Sequence, residues 1–183
     1  VGNGRIAGAL VSLRDVTNQK LVEEELNNTL GSLRRSLDII IKTISRTVES
    51  RDPYTSGHQH RVSDLPRSIA REMGLPADVV DGIRMAGVLH DVGKVSVPSE
   101  ILSKPGKLHY IETKLIQIHP KIGFEIIRNI DFPWPVAGIV LQHHERMDGS
   151  GYPYGLAGED ILLEARIISV ADVVEAMSSH RPY

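Results

Sequence analysis

The segment PADVVDGIRMAGVLHDVGKV, residues 76–95, opens with a proline and closes on a His-Asp pair. Pro76 stands where a first-turn proline starts a helix, since the N–H it lacks is one that a helix N-terminus leaves unpaired anyway. The apolar run behind it predicts a helix over about 76–91, with His90 and Asp91 at its end and Gly93 and Lys94 just beyond. A neutral imidazole beside a carboxylate offers one nitrogen and up to two oxygen ligands, and the carboxylate can bridge two cations. Gly93 lets the chain turn sharply, and Lys94 places an ammonium suited to a phosphate. An isolated His-Asp pair fits equally well a buried histidine bonded to a helix-terminal aspartate, so its neighbours decide.

The same punctuation recurs on both sides. Pro120 and Pro135 also stand at first-turn positions, while Gly74 and Gly106 break the segments. Helices are predicted over about 56–73, 109–118, 120–129, 135–146 and 162–179. Strand signals are nearly absent from 51–183, which reads as an all-α domain. Pro66 inside the first of these helices leaves the carbonyl of Val62 without its donor, so a kink is expected there.

Nearer the N-terminus, RIAGALVSLR (Arg5 to Arg14) reads as one strand without a partner, the expected last strand of a preceding domain over 1–17. Asp15 and Thr17 offer N-caps for a long helix. Leu26, Leu30, Leu33, Leu37, Ile40 and Ile44 alternate spacings of four and three, a heptad seam that predicts a coiled-coil linker over 18–50 and a homodimer. An amphipathic helix packed on its own domain is the alternative, since Ile39, Ile41 and Val48 widen the stripe.

Composition narrows the chemistry. The 183 residues include eight histidines and no cysteine, which excludes disulfide frameworks, thiolate metal sites and a cysteine nucleophile. With 21 basic against 23 acidic residues, no global positive field draws the chain to a nucleic acid polymer or an anionic membrane. No apolar run approaches the roughly 18 residues of a spanning helix. The absence of cysteine fits a cytoplasmic location.

A second histidine cluster lies in LQHHERMDGSGYP, where His143 and His144 are consecutive. Successive helical positions point about 100° apart, so both serve one centre only at a helix end or between helices. Capping of a helix C-terminus is the alternative. The following loop, dense in Asp148, Gly149, Gly151 and Pro153, is a rigid turn presenting Tyr152 and Tyr154. His119 precedes Pro120 at a helix boundary. Asp172 sits on the apolar face of the last helix, where an unpaired charge is costly to bury and a metal would supply the missing charge. His58 opens the first core helix, with His60 a competitor that faces differently, and His109 and His180 read as solvated.

HDVGK at 90–94, HP at 119–120, HHERMDGSGYP at 143–153 and VADVVEAMSSHRPY at 170–183 together resemble the HD-GYP subgroup of HD-domain phosphohydrolases. The N-terminal piece, GRIAGALVSLRDVTNQKLVEEEL, is similar to the end of a PAS sensor domain with its exit helix. The resemblance implies a helical HD-domain bundle, over 51–183, that hydrolyses the bacterial second messenger cyclic di-GMP to linear pGpG, and in a second cut to GMP. It implies a binuclear metal centre of iron or manganese, although imidazole and carboxylate ligands accept other divalent metals too. His58, His90, Asp91 and Asp172 would hold one ion, and Asp91 would bridge to a second held by His119, His143 and His144. A metal-bridging hydroxide would attack phosphorus, with Asp91 and Lys94 catalytic and Lys94, Arg181 and Tyr152 binding substrate.

The sequence departs from the family pattern at Tyr54, where some members carry a glutamate tied to a third metal, so two metals are expected. Glu175 and His180 stand at positions that are commonly aspartate, and neither is an expected ligand. The chain also stops before downstream residues that complete such domains. Two further readings stay open: a binding module that keeps the metal cage without turnover, and hydrolysis of another cyclic dinucleotide.

Overall fold

A computed structural model of the chain describes residues 15–51 and 58–178, with side chains in the second stretch described from Asp64 onward. The expected strand over Arg5 to Arg14, Tyr54, His180 and Arg181 lie outside the described residues, as do the side chains of His58 and His60. The chain divides into two compact units, Val1–Ile39 and Ile40–Tyr183.

The described part of the first unit is helical. α1, Thr17–Glu49, starts where Asp15 turns its carboxylate onto the Thr17 amide at 2.9 Å, the capping its sequence predicts. Along it Leu26, Leu30, Leu33 and Leu37 are exposed by 41–56%.

The second unit takes in the last turns of α1 and is otherwise built from α2 (His58–Glu72), α3 (Ala77–Leu89), α4 (Ser99–Leu102), α5 (Tyr110–Gln117), α6 (His119–Ile127), α7 (Val136–Gln142) and α8 (Leu163–Ser178). Short 3₁₀ turns occupy Val92–Ser96 and Gly158–Asp160. Among the described residues there is no strand, only an isolated bridge between Asp148 and Ala157. All six helices predicted beyond residue 51 are present, with starts within about two residues of their signals, the precision such boundaries have. Pro76 and Pro135 immediately precede α3 and α7, and Pro120 lies in the first turn of α6. Gly74 and Gly106 hold φ of 71° and 91°, a region that favours glycine, which is why the helices break there. α2 runs through Pro66 without interruption.

The core gathers Ile83 from α3, Val136, Ile139 and Val140 from α7, and Ala165 and Ile168 from α8, each with no exposed surface. α2 packs on α3 and α8, and α6 on α7 and the Val92–Ser96 turn. The end of α1 joins this body: Val48 enters the core, and the Ser45 hydroxyl donates to the carbonyl of Val88. Arg51 donates to the carbonyls of Val95 and Val97, the latter at 3.1 Å. These acceptors bracket the His90–Lys94 segment on both sides.

No helix among the described residues is long and apolar enough to cross a membrane.

Candidate metal centre

His90 is the last residue of its helical segment, at the C-cap of α3, and Asp91 opens the 3₁₀ turn that reverses the chain. The reversal brings that turn so close to α6 that a Cβ on Gly93 would lie 1.9 Å from the carbonyl oxygen of His119. Only a residue without a side chain allows this approach. Asp91 and His119 are thereby held together, with Asp91 Oδ1 at 3.3 Å from His119 Nε2.

His143 and His144 arrive from the end of α7. The helix predicted over 135–146 stops at Gln142, with His143 as its C-cap, because the Glu145 amide bonds back to the Gln142 carbonyl and the Tyr152 amide takes the His144 carbonyl at 3.1 Å. The pair therefore lies at a helix end, where two consecutive side chains can converge. Asp91, His119, His143 and His144 each place one ligand atom within 4.8 Å of all the others.

Backbone carbonyls set the protonation of three of the rings. Nδ1 of His90 lies 2.7 Å from the Gly87 oxygen, Nδ1 of His119 2.7 Å from that of Ile116, and Nδ1 of His143 2.6 Å from that of Val140. A carbonyl only accepts, so each Nδ1 carries a proton, and in the neutral form of each ring the lone pair of Nε2 points inward. His119 Nε2 and His143 Nε2 stand 3.3 Å apart. Two lone pairs at that distance repel unless a cation shares them. The donor set, three imidazoles and a carboxylate, fits a divalent transition-metal ion.

The electrostatics agree with that fit. Burial, opposed in part by Asp91, lowers the pKa of His119 from 6.5 to about 4. Burial and the neighbouring His119 lower His144 to about 3. Burial and His144 take His143 well below its ordinary value. All three are neutral, as ligation requires. Burial also works against the charge on Asp91, but Lys94 and His90 outweigh it and hold the carboxyl well below its usual 3.8. His90 goes the other way: burial lowers it, yet the charge of Asp91 and the bond to it raise it to about 9.

A cavity of about 170 Å³ opens onto this cluster, lined by Asp91, Lys94, Ile116, His119, His144, Tyr152, Asp172 and Ala176. Lys94 Nζ bonds Asp91 Oδ2 at 2.7 Å at its wall. Asp172 of α8 faces the same space, its charge favouring the protonated forms of His90 and His144. Burial and the charges of Asp91 and Asp172 raise the pKa of the Tyr152 hydroxyl, which stays protonated. The structure thus brings together His90, Asp91, Lys94, His119, His143, His144, Tyr152 and Asp172. His109 lies elsewhere, exposed at the N-cap of α5, and Glu175 is buried on α8 outside the cavity lining.

Sequence reasoning missed Glu145. Its carboxylate, 2% exposed, accepts from the Tyr154 amide at 2.8 Å and the Leu156 amide at 3.0 Å, fastening the 148–156 loop from beneath. The signal is an acidic residue set between two histidines and a glycine-rich loop, which spacing alone does not distinguish from a solvated carboxylate. Gly151 completes the fit, since a Cβ there would stand 2.4 Å from the Arg146 nitrogen. Ile116 and Ala176, the apolar part of the lining, had no signal in sequence.

A family model described as an HD domain matches residues 42–183. The chain is 41% identical over 164 residues to the cyclic di-GMP phosphodiesterase response regulator RpfG of Xanthomonas campestris pv. campestris, covering 88% of this chain and 43% of that protein. It is 37% identical over 147 residues to 3'3'-cGAMP-specific phosphodiesterase 3 of Vibrio cholerae, covering 80% of this chain and 32% of the relative. The chain spans less than half the length of these curated relatives. The HD domain of the L. monocytogenes phosphodiesterase PgpH, solved in complex with cyclic-di-AMP, superposes with a TM-score of 0.57 at 23% identity, over 77% of this chain and 75% of that one, and so shares the fold.

Proposed function

The chain belongs to the HD-domain family, and from that membership we propose that it is a metal-dependent phosphodiesterase that hydrolyses cyclic di-GMP to linear pGpG and onward to GMP. The observation that carries this reading is the convergence of Asp91, His119, His143 and His144 beneath a cavity walled by Lys94. Relatives named as cyclic di-GMP phosphodiesterases support the substrate.

We assign His119, His143 and His144 to one ion and His58, His90 and Asp172 to a second, with Asp91 shared; iron or manganese suits these ligands. When bound, such cations supply a hydroxide near neutral pH and neutralise charge developing on phosphate oxygens. The protein's own groups do the rest. The Gly87, Ile116 and Val140 carbonyls keep the proton on Nδ1 and so keep Nε2 available. Lys94, already drawn to the site by Asp91, adds an ammonium where a phosphodiester's non-bridging oxygens would sit. Tyr152 walls the pocket and keeps its proton. Arg181 grips a phosphate or guanine edge, a task its forked donors suit.

The rest of the chain serves regulation. Residues 1–17 end a PAS sensor, and 18–50 form a coiled coil with a second copy, for which the exposed heptad stripe of α1 is the support. A cytoplasmic location, which the absence of cysteine fits, belongs to the same reading.

The test is hydrolysis of cyclic di-GMP by protein loaded anaerobically with iron or manganese, products separated by chromatography, beside His90→Ala and Asp91→Ala. Turnover in the parent, abolished in both variants, is expected. Nucleotide binding without turnover in the loaded parent would leave a binding module. The 3'3'-cGAMP relatives favour one second substrate, so that nucleotide belongs in the same assay. Faster cleavage of it than of cyclic di-GMP would reassign the substrate.

A further inference from the structure

Three of the four cluster and flanking histidines described above have a backbone carbonyl three residues earlier that fixes ring and tautomer: His90 on Gly87, His119 on Ile116 and His143 on Val140. His144 follows the end of its helix, and its ring is held by other rings instead. Tyr152 stacks on it with centroids 4.7 Å apart and planes 29° apart. His143 lies against it at 4.1 Å and His119 meets it edge-on at 5.0 Å.

Tyr152 is in turn fixed from two directions. Its amide donates to the His144 carbonyl, tying the loop to the residue whose ring it covers. Two and four residues further on, Tyr154 and Leu156 donate their amides to the two oxygens of the buried Glu145 carboxylate. Two amides on alternate residues, bonded to one immobile carboxylate, leave that stretch of loop little freedom to slide or rotate. The close return at Gly151 seats the loop on the backbone of Glu145 and Arg146.

We propose that Tyr152 is the positioning residue of His144, its stacked ring holding the orientation of that imidazole as a carbonyl holds that of the other three, with Glu145 as the anchor that keeps it there. This rests on the reading of His144 as a metal ligand. The Tyr152 ring face, and not its hydroxyl, carries the effect. The residue acts on the centre through His144, in addition to any contact its exposed edge makes in the cavity.

Manganese(II) binding to the metal-stripped chain, read by competition with a fluorescent chelator, tests this without any nucleotide. Tyr152→Phe keeps the stacking face and is expected to match the parent. Tyr152→Leu removes it and is expected to lose roughly tenfold or more in affinity, the loss typical when a partner that orients a ligand is removed. Glu145→Gln, which turns an amide N–H₂ toward a backbone N–H, is expected to weaken binding in the same direction, and carries the test if circular dichroism shows Tyr152→Leu unfolded. Parental affinity in the folded Leu variant, or in Glu145→Gln when that variant stands in for it, overturns the proposal. An equal loss in Tyr152→Phe and Tyr152→Leu overturns it as well, by assigning the effect to the hydroxyl. A parent chain that binds no manganese would instead count against the proposed function.

Discussion

Gly93 and His119 show how finely single residues set the centre. The 3₁₀ turn after α3 approaches α6 so closely that Gly93 faces both the His119 carbonyl and the backbone nitrogen of Gly123, with a Cβ at 1.9 and 2.6 Å respectively. Backbone cannot yield as a flexible side chain does. Gly93→Ala must therefore push the turn away from α6 and separate Asp91 from His119. A destabilisation of about 1–3 kcal/mol is expected, the range for overpacking, read from urea denaturation, together with weaker metal binding. Parental stability and metal affinity would mean that the turn relaxes without moving Asp91. Sequence reasoning placed Gly93 at a sharp turn, but the contact that makes it indispensable comes from a residue 26 positions away.

At the scale of elements, α1 divides into two kinds of surface. Its last turns bury Val48 and donate from Ser45 to Val88, whereas Leu26, Leu30, Leu33 and Leu37 remain exposed on a heptad spacing. Packing on its own domain accounts for the C-terminal end of the stripe, and the exposed leucines are the support for the proposed seam with a second copy. A seam predicts that Leu33→Glu, which sets a charge among apolar knobs, lowers the sedimentation coefficient of a dimeric parent to that of the monomer. Equal mass for parent and variant would reject it. The truncation of α7 at Gln142 is the complementary case. Periodicity continued the helix through Arg146, but the amide of Tyr152 and the Glu145 carboxylate engage the chain beyond it, and the helix ends where two histidines are needed side by side.

For the molecule as a whole, burying neutral imidazoles ties stability to pH. His119 and His144 have folded-state values of about 4 and about 3, and His143 is also lowered, against 6.5 in the unfolded chain. Below 6.5 the unfolded state binds more protons, so stability present above that pH is lost as the pH falls toward 4. His90, raised to about 9, acts oppositely: its contribution is complete below 6.5 and lost as pH rises through 9. Metal-free protein is therefore expected to show a lower urea midpoint at pH 5 than at pH 6.5. A midpoint at pH 5 equal to or above that at pH 6.5 would contradict three neutral buried rings. Divalent metal should raise the midpoint at pH 6.5 by mass action, since ligands assembled only in the folded state bind it there.

The all-α class, the helix starts and the histidines worth watching were legible along the chain, because prolines, glycines and apolar periodicity act locally and histidine-carboxylate chemistry is a property of residue type. The cluster of Asp91, His119, His143 and His144 was legible through resemblance; composition and spacing alone left each pair open to a bland reading. What only the folded chain decides is convergence and protonation. Which carbonyl takes each Nδ1, how closely Gly93 lets two segments meet, and that Glu145 fastens the loop bearing Tyr152 all depend on distances between residues separated in sequence. Such distances are products of packing, and no local pattern encodes them.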